Sequence, residues 1–304
     1  MTVPISNSSD GRLTRAKLDA LLTAIGEQAA LDVRDAELVK FTNNAVFRLA
    51  HAPVVIRIAG SATMRDRVPK VVRVARWLAE RDVPAVRLWD GIAQPMVVRG
   101  ELVTLWRAVP TGGAPPSGAD LAAILRVFHA LPPPPAPLPP WRPFEEIRSR
   151  LAEPEGLAAA DLRYLLEQCD RIEEELAAVR YLLPSGPIHG DAFLGNLIPS
   201  PDGPVICDFD SSADGPREWD LTPVAVGRLR FDYSGDAYGE LAAGYGFDVL
   251  NWPGFPVLRR IRELKLVSSV VPILRSNPGI REQWAFRLRS FKNSDLTAKW
   301  STYA

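Results

Sequence analysis

The residues best suited to chemistry fall in one stretch: His189-Gly190-Asp191, then Asn196, then Asp208-Phe209-Asp210. Between them, the short apolar runs 197–199 and 205–207 flank Ser200-Pro201-Asp202-Gly203, a turn-forming composition. The expected structure is an antiparallel hairpin centred near Asp202, with Asn196 and Asp208 equally far from the centre and facing each other at its open end. An amide oxygen beside a carboxylate is the hard-oxygen donor set that Mg2+ prefers, with water and phosphate oxygens completing the octahedron. Asp191 lies five residues before Asn196, in a loop interrupted by Gly190 and Gly195. A carboxylate there can orient a substrate hydroxyl and accept its proton. Holding a nucleophile in line with a metal-bound phosphoryl group is most of what phosphoryl transfer requires. Asp210 reads either as a second metal contact or as a loop hydrogen-bonder. His189 reads as a loop-organising histidine bonded to backbone, because no second His or Cys lies nearby in sequence. Cys207 reads as a buried, inert thiol on the apolar strand.

The elements that must position these residues follow from periodicity. Helical spacing runs over 12–29, 65–81, 120–131, 161–183, 255–275 and 281–292. Leu13, Ala16, Leu21 and Leu22 form the apolar stripe of the first, and Pro69 is expected in the first turn of the second. Strand-like runs occupy 37–41, 45–50, 54–59, 85–89, 95–98 and 101–106, rich in branched and aromatic side chains. Seven prolines between Leu131 and Trp141 dictate an extended segment, read as a stiff spacer between helices. The order is therefore β-rich, then a Pro/Gly connection, then helical. The expected division is an N-terminal part over 1–106, a connection over 107–118 and a helical part over 119–304.

Composition limits the function. The 304 residues carry 36 Lys+Arg and 36 Asp+Glu, so there is no basic excess of the kind a general nucleic-acid binder shows. Two cysteines exclude a disulfide scaffold and a multi-cysteine metal site. The first residues lack a signal-peptide pattern, and no apolar run approaches a membrane span, so a cytoplasmic protein without membrane partners is expected. Residues 1–140 hold 17 basic against 12 acidic side chains, and 141–304 hold 19 against 24. That asymmetry suits phosphate in the first half and a cation, metal or substrate, in the second.

The run His189-Gly190-Asp191-x4-Asn196, followed after a hairpin by Asp208-Phe209-Asp210, resembles the aminoglycoside phosphotransferase and choline kinase-like family. The resemblance covers about 40–300. It implies an α+β, bilobal protein-kinase-like fold, with an antiparallel-sheet N-lobe and a mainly helical C-lobe. It also implies ATP and Mg2+, with Asp191 catalytic, Asn196 and Asp208 holding metal, and Asp220 supporting the loop. Asn44-x-x-Phe47-Arg48-Leu49 and Val55-Ile56-Arg57-Ile58 resemble the N-lobe strands, which puts Arg57 in the place of the phosphate-binding basic residue. Phe128-His129-Ala130-Leu131 resembles a helix of the family. By the same resemblance, 103–109 binds adenine, with Trp106 and Ala108 beside it. Two positions depart from the family pattern. The helix glutamate that pairs with the basic strand residue is replaced by Val71, flanked by Lys70. The turn Thr42-Asn43-Asn44 has no glycine, so any cover over the phosphates falls to these residues.

No long activation segment with an Ala-Pro-Glu-like end follows Asp208, so a small hydroxyl compound is the expected acceptor rather than a peptide. The acidic second half favours a cationic or amino-bearing one: an antibiotic, amino sugar, amino alcohol or hydroxy amino acid. Two other readings share these residues. One is a pseudokinase-type module that binds nucleotide without catalysis. The other is a hydrolase using Asp208 and Asp210, which leaves Asn196 unexplained.

Overall fold

A computed structural model describes residues 14–41 and 44–303. The turn residues Thr42 and Asn43, and Leu13 of the expected apolar stripe, lie outside them. Along the chain the elements are α1 (Arg15–Ala29), β1 (Glu37–Phe41), β2 (Asn44–Arg48), β3 (Val54–Ala59), α2 (Ala62–Ala79), β4 (Met96–Val98) and β5 (Glu101–Arg107). Then come α3 (Gly118–Ala130), α4 (Pro143–Ala152), α5 (Ala159–Ala177), β6 (Ser185–Ile188), β7 (Leu197–Ile198), β8 (Val205–Ile206) and β9 (Ala213–Pro216). The chain closes with α6 (Glu218–Arg230), α7 (Ala237–Tyr245), α8 (Phe255–Ser268) and α9 (Arg281–Lys292).

These elements form two compact units. The first holds the described residues up to Pro116, with Pro134–Leu138 and Gly195–Ser212. Its centre is an antiparallel sheet of order β1-β2-β3-β5-β4. Alternation along β3 buries Val54, Ile56 and Ile58 with Leu18, Leu21, Leu22 and Ile25 of α1. Ala16 is exposed, so the stripe of α1 is one turn further along than its sequence suggested. Arg57 points to the opposite face, toward α2, whose Met64, Val68 and Val72 pack on Ala59. Buried Glu101 ties both helices to β5, accepting from Lys17 Nζ at 2.6 Å and Arg65 Nη1 at 3.0 Å. Pro69 is not in the first turn of α2 but inside the helix. Ser61 starts the helix earlier by capping it, its Oγ accepting from the Met64 N–H at 3.2 Å.

The β7–β8 hairpin belongs to this first unit although it lies far along the chain, which departs from the contiguous division expected. The reason is backbone hydrogen bonding. Val86 N–H donates to the Ile206 carbonyl at 3.0 Å, and Ile206 N–H to the Pro84 carbonyl at 2.9 Å. The run 85–89 forms only isolated bridges, Ala85 with Ile206 and Leu88 with Trp106. The Pro/Gly stretch closes on the hairpin too. A Cβ at Gly113 would lie 2.3 Å from the Ser200 carbonyl oxygen, so only glycine allows that approach.

The second unit holds Ser117–Pro133, Pro139–Leu194 and the described residues from Ala213. Helices α3 and α7 pack together, α4, α5 and α6 pack on α8, and β6 pairs with β9. The end of the proline-rich segment is stapled to β9. Trp141 N–H donates to Asp214, and Asp214 N–H to the Pro139 carbonyl, at 2.7 and 2.8 Å. Helix α5 stops at Ala177, short of the expected 183, and α8 gives way to 3-10 turns after Ser268. Among the described residues no helix is long and apolar enough to cross a membrane.

Candidate active site

In the first unit the hairpin carries three of the expected residues. Leu197 pairs with Ile206 and Ile198 with Val205. That register puts Cys207, not Asp208, opposite Asn196, and the Cys207 N–H donates to the Asn196 carbonyl at 2.9 Å. The expected face-to-face pairing of Asn196 and Asp208 is therefore off by one residue, because the turn is centred between Pro201 and Asp202. Asp208 follows at φ 71°, ψ 66°, a left-handed backbone that costs an aspartate about 1–3 kcal/mol. This kink ends the strand and breaks its side-chain alternation.

Asp208 and Asp210 lie within hydrogen-bonding reach of each other, Asp210 buried and Asp208 half-buried. Burial, and then the neighbouring Asp210, push the Asp208 carboxyl well above the usual range. Burial also opposes the charge of Asp210, but the contact with Asp208 and the Arg57 guanidinium outweigh it and hold that carboxyl low. The negative charge thus sits on Asp210, whose Oδ2 receives Arg57 Nη2. Its Oδ1 is buried and takes no hydrogen bond from a described donor. The raised Asp208 carboxyl and the uncommitted Asp210 oxygen, on the same hairpin as buried Asn196, are hard oxygen donors of the kind that suits a divalent cation. Among the described residues no group of three His, Cys, Asp or Glu is arranged to hold a metal alone, so phosphate oxygens and water would have to complete such a site.

The missing helix glutamate is answered here. Arg57 pairs with Asp210 of the hairpin, and α2 supplies a cation in place of an acid. Lys70 Nζ donates to the carbonyls of Asp210 and Ser212 at 2.7 and 2.9 Å, fixing the segment after Asp208. Lys70 was seen in the sequence only as a neighbour of Val71, and no local signal tied it to residues 140 positions away. Asn44 opens β2 with its amide 3.8 Å from Met64 Sδ. Trp106 is buried and its Nε1 donates to Thr104 Oγ1 at 2.8 Å, while the Ala108 N–H is bonded to the Pro53 carbonyl at 2.8 Å. Cys207 is half-buried, and burial pushes its thiol up to about 12.

In the second unit the loop before the hairpin is organised by fully buried Asp220 at the start of α6. Its Oδ2 accepts from His189 N–H at 2.7 Å and from His129 Nε2 at 3.0 Å, and its Oδ1 accepts from Gly190 N–H at 2.7 Å. His129 Nδ1 meets Tyr245 OH at 2.8 Å. The carboxylate can only accept, so Nε2 is the donor to it. Gly190 sits at φ 84°, and its carbonyl accepts from Trp219 Nε1 at 2.8 Å. His189 is buried and its Nδ1 accepts from the Asp191 N–H at 3.3 Å.

Asp191 is displayed at the end of this frame, its side chain 28% exposed. Arg262 Nη1 donates to its Oδ1 at 2.5 Å. Burial alone would raise the carboxyl, but the Arg262 and Lys265 charges and the Arg262 hydrogen bond hold it down to about 2. Two cations therefore stand beside Asp191, which the acidic balance of residues 141–304 did not foretell. Neither Arg262 nor Lys265 was singled out in the sequence. The basic spacing of Arg259, Arg260, Arg262 and Lys265 on α8 was a visible signal, but not its destination.

A sheet unit whose hairpin bears oxygen donors and a helical unit whose loop displays an ionised aspartate are the parts of a protein-kinase-like small-molecule kinase. Residues 39–264 match the model of the phosphotransferase enzyme family, and the chain belongs to that family of small-molecule kinases. Its fold is shared with an amicoumacin kinase in complex with AMP-PNP and Ca2+ (14% identity, 95% of this chain and 98% of that one, TM-score 0.70). It is likewise shared with a choline/ethanolamine kinase family protein from Mesorhizobium loti (18%, 90% and 93%, 0.64). A third similar structure is the aminoglycoside phosphotransferase APH(3'')-Id from Streptomyces rimosus (22%, 81% and 98%, 0.57). No curated protein matches the chain.

Proposed function

We propose that the chain is an ATP-dependent O-phosphotransferase that moves the γ-phosphoryl group to a hydroxyl of a small molecule in the cytoplasm. The observation that supports this most is the carboxylate pair of half-buried Asp208 and buried Asp210, on the same hairpin as Asn196, with the Asp208 carboxyl pushed above its usual range. In this reading Asn196 and Asp208 hold Mg2+, with Asp210 beside them and held by Arg57. Bound there, Mg2+ would screen the β- and γ-phosphate charge.

The chain's own residues do the rest. Lys70 keeps the segment after Asp208 in place through its two carbonyls. Arg57 neutralises phosphate charge as well as Asp210, and Asn44 stands at the phosphate end of the sheet. Trp106 and Ala108 lie along the adenine, where the contact is apolar because the Ala108 N–H is already bonded to Pro53. Asp191, ionised at any working pH, accepts a hydrogen bond from the acceptor hydroxyl and aims its oxygen at phosphorus. A carboxylate with so low a pKa is a weak base, so its part is to orient the hydroxyl, and the proton follows once transfer to phosphorus is under way. Amino-bearing hydroxyl compounds are the first acceptors to test, since the relatives include a kinase of amicoumacin and a choline/ethanolamine kinase family protein.

Asp208→Asn should remove the Mg2+ dependence of nucleotide binding. Isothermal titration with AMP-PNP should show wild-type affinity at least about tenfold higher with Mg2+ than with EDTA, and no such difference in the variant. Equal dependence on Mg2+ in both proteins would refute the assignment.

A further inference from the structure

Helix α8 carries four cations, and three of them bond partners other than Asp191. Arg259 uses Nε on Glu263 and Nη2 on the Leu296 carbonyl. Arg260 uses Nη1 on Glu175 and Nη2 on Gln168. Lys265 reaches Glu146 of α4 at 3.1 Å. Arg262 differs. Its side chain is only 10% exposed, yet Nη1 alone is hydrogen-bonded, to Asp191. Its Nε and Nη2 bond no described residue. A guanidinium taken this far out of water and left with most of its donors uncommitted is poised for an oxyanion, which it can grip with two parallel hydrogen bonds.

We propose that Arg262 reads the acceptor: with Nη1 fixed on Asp191, its remaining N–H groups receive a carboxylate that the acceptor carries close to the hydroxyl being phosphorylated. This rests on the reading that Asp191 orients that hydroxyl. The acceptor class is then a hydroxy acid, its carboxylate on Arg262 and its hydroxyl on Asp191. The same cation explains what is disfavoured. Asp191 already has its countercharge, and Lys265 stands beside it, so an ammonium group next to the hydroxyl would meet two positive charges. An amine remote from the hydroxyl is compatible.

The test compares matched ligands that differ in one charge. Glycerate and 3-hydroxybutyrate, each against its own amide, are titrated calorimetrically into the full chain with Mg2+ and AMP-PNP. Each acid should bind about tenfold or more tightly than its amide, the effect of a charge-assisted, two-point contact. In Arg262→Met that ratio should fall to about one, while Arg262→Lys keeps part of it. If Arg262→Met does not fold, the wild-type ratio and the Lys variant still decide. Equal binding of acids and amides, no binding of either, or a preference that survives in Arg262→Met overturns the proposal. So does an Arg262→Met effect on kcat that is the same for acids and amides with KM unchanged, which would place the transferring phosphoryl group there instead. Acids that bind with the expected preference but are never phosphorylated would contradict the phosphotransferase reading and leave this one standing.

Discussion

Asp191→Asn is expected to lower turnover by about 10²–10⁴-fold while leaving thermal stability close to wild type. Asparagine is the informative replacement because its amide oxygen still accepts from Arg262, whose side chain is 10% exposed, so that no buried guanidinium is stranded. What it loses is the negative charge that a hydroxyl hydrogen-bonds as it becomes a nucleophile. Steady-state rates of ADP release, with melting curves of both proteins, separate the two effects. A variant that turns over at the wild-type rate would remove Asp191 from the chemistry. One that melts far below wild type would make it a residue of the loop frame instead.

Asp220→Ala is expected to give the largest loss of stability of any single change in the loop frame, about 3–5 kcal/mol. Both oxygens of this fully buried carboxylate are engaged, and its removal strands the N–H groups of His189 and Gly190 together with His129 Nε2. Buried donors left without acceptors each cost about 1–3 kcal/mol. Asp220→Asn should recover only part of the loss, because its NH2 must face a donor where the second oxygen accepted. Urea denaturation of the three proteins measures this directly. A loss below about 1 kcal/mol for Asp220→Ala would show that water replaces the carboxylate and that the loop does not depend on it. Activity should fall with either variant, since the residues displaced lie immediately before Asp191.

Much of this architecture is written locally. The alternation in 54–59 and the apolar spacing of 65–81 announce a sheet and a helix, and both form. The hairpin is legible because two apolar runs flank a turn sequence, yet its register is not. One residue of difference in the turn moved Cys207 opposite Asn196, and the left-handed backbone of Asp208 has no signature in residue type. Pro69 misled because proline favours a first turn, whereas the cap at Ser61 fixed the start and packing of Val68 and Val72 held the helix through it. The pairings that matter most are long-range. Arg57 with Asp210 and Arg262 with Asp191 join residues 153 and 71 positions apart. Charge counts averaged over half the chain therefore gave the wrong sign for the surroundings of Asp191, where two cations of α8 converge. His189 could be placed in the loop from its isolation in the sequence and Asp220 by resemblance, but their partners, including His129 from α3, appear only once the helices are packed.

The central claim is that a phosphoryl group leaves ATP and arrives on a small hydroxyl compound. Phosphorus-31 NMR of the wild-type chain with MgATP and mixed amino-bearing and acidic hydroxyl compounds follows both ends of that transfer at once. The account predicts that the γ-phosphate signal declines while a phosphomonoester signal grows in equal amount, and that neither change occurs with Asp191→Asn. An unchanged ATP spectrum, or conversion to inorganic phosphate alone, would contradict it.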